Sequence, residues 1–120
     1  MAPRRIKTYP SELGHVYQYF FVGQREAFED FGMATTEYIF DVIGGQPPQY
    51  SVSVFLGADA LSAWQTTHAR PLSSTECYAV AKLRLCKAFD EIEDMFQGGR
   101  RLCVEPGRVE ELLEPLKLDG

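Results

Sequence analysis

From Gly14 to Val22 β-branched and aromatic residues follow one another with a glycine at either end, the signature of a strand. The signal returns at Glu37–Ile43 and at Tyr50–Leu56. The segment between these two, Gly44-Gly45-Gln46-Pro47-Pro48-Gln49, is short enough to close an antiparallel hairpin. Residues 24–36 fit no single template: Arg25 to Phe31 offer about two helical turns before Gly32, or else a long loop.

After Leu56 the period changes. Leu61, Trp64 and His68 fall at i, i+3 and i+7, which predicts a short helix over Asp59–His68 that stops at Arg70-Pro71. Ser73-Ser74-Thr75-Glu76 supplies a capping box, and the helix it opens is expected to run to Gly98. Its apolar face carries Cys77, Val80, Ala81, Leu85, Ala88, Phe89, Ile92, Met95 and Phe96, opposite Lys82, Asp90, Glu93 and Asp94. Leu102-Cys103-Val104 reads as a minor fourth strand and Arg108–Leu116 as a last short helix.

These elements define an α+β fold: a three-stranded antiparallel meander packed against a short and a long helix, with a minor fourth strand and a terminal helix. Its parts are an N-terminal arm (1–12), the meander (14–56), the helical pair (59–98) and the closing strand and helix (102–117). At 120 residues, 45% hydrophobic and 24% charged, the chain has the size and composition of one folded domain.

Side chains alternate across a strand, so the even-numbered Val16, Phe20, Val22, Tyr38, Phe40, Val42, Tyr50, Val52, Val54 and Leu56 are expected to make one apolar surface beneath the long helix. The opposite surface is also rich in rings and branched chains: His15, Tyr17, Tyr19, Phe21, Ile39, Ile43 and Phe55, diluted by Glu37, Asp41, Ser51 and Ser53. A surplus apolar surface of this kind needs cover. Residues 24–34, with Phe28, Phe31 and Met33, could fold across it, as could the terminal helix with Val109, Leu112, Leu113 and Leu116. The preferred cover is a protein partner, most simply a second copy of the chain, docked on Tyr17, Tyr19, Phe21, Ile39, Ile43 and Phe55.

Charge narrows the partners. Twelve Lys and Arg against seventeen Asp and Glu leave a net −5, which opposes nucleic acid, and Glu37 and Asp41 adjoin the rings that would have to stack bases beside Arg4, Arg5 and Lys7. The N-terminal residues lack the apolar stretch of a secretory signal, no segment is apolar enough to span a bilayer, and Cys77, Cys86 and Cys103 are an odd set without metal-ligand spacing. A cytoplasmic setting is the expectation.

Catalytic equipment is sparse. Only His15 and His68 offer an imidazole, no Gly-x-Ser-x-Gly turn occurs, and the glycine pairs lack the residues of a phosphate loop, so no catalytic, metal or cofactor residue is assigned. The acidic run Asp90–Asp94 reads as a solvated helix face. The expected function is therefore a non-catalytic, homodimeric interaction or regulatory protein. The alternative is a small enzyme or ligand-binding protein whose pocket lies between sheet and helices, lined by His15, Tyr38, Tyr50, Trp64, His68 and Tyr78.

Overall fold

A computed structural model describes residues 5–28, 34–43 and 48–114. Outside them lie the first residues of the arm, Phe31 and Met33 of the 24–36 segment, Gly44 to Pro47 of the hairpin loop, and the end of the expected last helix at Pro115 and Leu116. The fold is α+β. Five strands, β1 (Lys7–Pro10), β2 (Val16–Phe28), β3 (Ala34–Ile43), β4 (Gln49–Gly57) and β5 (Arg101–Val104), form one sheet in chain order. Each pair is antiparallel except β4 with β5, which run parallel. Parallel neighbours need a long crossover, and here it carries α1 (Ala58–His68), α2 (Ser74–Glu91) and α3 (Met95–Gly98); α4 (Arg108–Leu113) follows β5.

The expected arm holds an extra edge strand, β1. Its turn into β2 is closed by Ser11, whose backbone N–H donates to the His15 carbonyl at 2.7 Å and whose carbonyl accepts from Gly14 at 3.1 Å. Gly14 sits there at φ 90°, a conformation a Cβ disfavours. Pro10 ends an edge strand, where a missing N–H costs no ladder bond. Residues 24–28 and 34–36, open in sequence, extend the β2–β3 hairpin.

The Ser73–Glu76 capping box forms, and Arg70 grips the same carboxylate with two bonds of 2.9 and 3.0 Å. The long helix does not reach Gly98. It ends at Glu91 with Ile92 extended, and Asp94 caps the separate turn α3 by accepting from the Gln97 N–H at 3.2 Å. Anions oppose the dipole at a helix C-terminus, and Asp90 is drawn off to the β1–β2 turn: Tyr9 Oη donates to it at 2.7 Å and the Glu12 N–H at 2.9 Å. The acidic run is thus partly a tether rather than only a solvated face.

The core lies between the helices and one face of the sheet. Phe40, Val42, Val52, Val54 and Leu56 from the sheet meet Val80, Leu85 and Phe89 of α2, Trp64 of α1 and Val109, Leu112 and Leu113 of α4, all nearly or fully buried. Strands β3 and β4 face inward with their even-numbered residues, as expected. Strand β2 does not. Its register sets Tyr19 opposite Val42 and Phe21 opposite Phe40, so Tyr17, Tyr19 and Phe21 point into the core while Val16 is 68% exposed and Phe20 is half-buried. A bulge between Phe21 and Gly23 then shifts the alternation.

Candidate functional site

The face of the sheet away from the helices is the candidate site. In-register partners share a face, so this surface runs from Val16 and Phe20 on β2 through Glu37, Ile39, Asp41 and Ile43 on β3 to Ser51, Ser53 and Phe55 on β4 and Arg101 on β5. None of its apolar members belongs to the core cluster, and the α4 residues Val109, Leu112 and Leu113 pack on the other side. Neither proposed intramolecular roof is therefore seen among the described residues. Phe28 is itself 75% exposed.

Two ordered polar groups are set into this apolar field. Glu37 is only 6% exposed. It accepts from Arg25 Nε at 2.7 Å through one oxygen and from Ser53 Oγ at 2.6 Å through the other. The Arg25 bond first, then the Ser53 bond, hold its pKa below the ordinary carboxylate value. Farther along the same face, beyond Ile39, Asp41 accepts from Ser51 Oγ at 2.7 Å and Gln49 Nε2 at 2.9 Å. Phe55 is buried under the Arg101 guanidinium, 4.6 Å from the ring centre. A carboxylate fixed as the anion by two donors is a poor proton shuttle and a good rigid acceptor.

The expected interface is therefore divided. Ile39, Ile43 and Phe55 lie on this outer face. Tyr17, Tyr19 and Phe21 do not: Tyr17 stacks on Phe89 at 4.1 Å, Tyr19 is 3% exposed, and Phe21 meets Tyr78 edge-on at 5.0 Å. Phe89 and Tyr78 of helix α2 cover them on the inner side of the sheet, away from the outer face. Phe20 and Val16 lie on the outer face instead. Strand alternation identifies two sets of residues but not which set of one strand matches which of the next, so Phe20 lies opposite Asp41 on the outer face and not, as expected, beneath the long helix.

The six residues of the alternative pocket are not brought together. Tyr38 and Tyr78 pack around Phe21 and Phe40, Tyr50 meets Phe96 at 5.6 Å, and Trp64 stacks with His68 at 4.1 Å, where His68 also contacts Glu110. His15 bonds Glu93 at 2.8 Å at an exposed end of the sheet. The described grooves are lined by other residues, such as Glu26, Phe28 and Leu61 around one of 330 Å³.

Among the described residues no helix is long and apolar enough to cross a membrane. No family model matches the chain, and no curated protein or solved structure matches it either.

Proposed function

We propose that this chain is a non-catalytic interaction domain that pairs with a second copy of itself through the outer face of the sheet. The observation that carries it is the one-sided cover: helices on one face, and on the other Val16, Ile39 and Ile43, which lie outside the core cluster among the described residues. Three strands of 13, 10 and 9 residues and two of four, at about 3.3 Å per residue and about 4.8 Å apart, give a face of roughly 600 Å², toward the lower end of what each partner contributes to a stable interface. The charges favour a self-complementary contact. Ile39 lies between Glu37 and Asp41 on β3, with Arg25 and Arg101 toward the Glu37 end. A two-fold axis near Ile39 brings the arginine end of one copy over the Asp41 end of the other. Three cysteines, an odd count that cannot close into an intramolecular disulfide framework, support a reducing, cytoplasmic setting.

The test is sedimentation equilibrium on wild type, Ile39→Asp and Ile43→Asp, with circular dichroism to verify folding. A two-chain mass at micromolar concentration that falls to one chain in the folded variants is expected. A one-chain mass for wild type up to about 100 µM overturns the proposal.

A further inference from the structure

A separate cluster on the other side of the molecule concerns cations. Lys7 on β1 pairs in register with Tyr19, whose hydroxyl lies 3.9 Å from the Cys86 thiol on α2. Lys82 sits one helical turn before Cys86 and projects on the same side. The sheet edge and the helix thus bring two ammonium groups together above Tyr19 and Cys86, with Arg5 nearby. Lys82 lowers the Lys7 pKa first by direct contact, then by like charge, with burial and Arg5 adding to the effect. Among the described residues no carboxylate pairs with Arg5, Lys7 or Lys82, although the acids outnumber the bases in the chain and Arg25, Arg70 and Arg108 each have an acidic partner.

Like charges packed side by side repel in the empty protein, and a dianion placed between them removes that repulsion while gaining several charge-assisted bonds. The neighbouring groove fits a body attached to such a group. It has a volume of 240 Å³, starts at Cys86, and is lined by Tyr9, Leu83 and Leu112 together with Lys87, Asp90 and Glu111, so the body it fits is an uncharged one and not a second anion.

We infer that Arg5, Lys7 and Lys82 form a binding site for a phosphate-class dianion at the junction of β1 and α2. The site is independent of the outer sheet face. Free phosphate and a phosphate ester share the recognised group; they differ in whether anything occupies the Leu83–Leu112 groove.

The experiment follows thermal unfolding and amide chemical shifts of the full chain with inorganic phosphate and with phenyl phosphate, against sodium chloride at equal ionic strength. Wild type is expected to gain a few degrees in Tm at tens of millimolar phosphate, with saturating shifts at Lys7, Lys82 and Cys86. A larger gain with phenyl phosphate assigns the site to an ester, and equal gains assign it to the free ion. Lys7→Gln and Lys82→Gln remove like-charge repulsion, so each is expected to unfold no lower than wild type without phosphate and to lose at least half of the phosphate-dependent gain. A wild-type response no larger than that to chloride, or the same response in both variants, overturns the site.

Discussion

Tyr17 and Phe89 lie ring on ring, 4.1 Å between centroids and 8° from parallel. This contact joins the second strand to the long helix and helps commit the odd-numbered rings of that strand to the core. Phe89 is fully buried and also meets Tyr9 and Tyr19. Phe89→Ala is expected to cost about 3–5 kcal/mol in urea unfolding. A double-mutant cycle with Tyr17→Ala should return a coupling of about 0.5–1.5 kcal/mol.

The capping box carries an acid-sensitive part of the stability. The Arg70 bond, then the backbone N–H of Ser73, pull the Glu76 pKa from 4.5 to about 2. A carboxylate depressed in the folded state stabilises it above the unfolded pKa, and that contribution is lost as pH falls from about 4.5 through about 2. Stability measured by denaturant at stepped pH should fall over that window in wild type and more shallowly in Glu76→Gln. At neutral pH, Ser73→Ala should cost about 1 kcal/mol.

Alkali should act through the tyrosines. Burial pushes Tyr38 and Tyr50 up to about 12, and Tyr9, Tyr17 and Tyr19 are also raised, first by burial. Their unfolded forms ionise near pH 10, so stability is kept below that pH and lost as pH rises from about 10 toward 12. At pH 10.5 the native protein should show less than half the tyrosinate absorbance of the protein in denaturant.

The turn between the first two strands depends on Gly14 at φ 90°. Gly14→Ala meets no atom there, so its expected cost of about 1–2 kcal/mol is backbone strain alone. Equilibrium unfolding measures it. A cost near zero would mean that the turn rearranges.

How far the fold can be read from the chain depends on the range of the interaction that decides each element. Ser73 and Glu76 are three residues apart and announce their helix start unaided. Strands β3 and β4 alternate cleanly and pair with matching parity. Strand β1 escapes notice because its four residues, Lys7 to Pro10, hold one large apolar side chain and become a strand only against Val16–Tyr19. The orientation of β2 is decided by pairing with β3 and by the bulge before Gly23, neither of which periodicity reveals. The Lys7–Lys82 juxtaposition is less visible still, since two distant lysines acquire meaning only when an edge strand lies beside a helix. On the outer face, Ile39, Ile43, Glu37 and Asp41 were all readable as one set from β3 alone.

The parallel pairing of β4 with β5 has a consequence for synthesis. The fourth strand is finished at Gly57, but its last neighbour starts only at Arg101. At about 5–20 residues per second, a ribosome leaves that edge open for roughly 2–9 s. Throughout this interval Val52 to Leu56 are a template for any strand that arrives first, and the nascent helices are the chain's own protection against the wrong one.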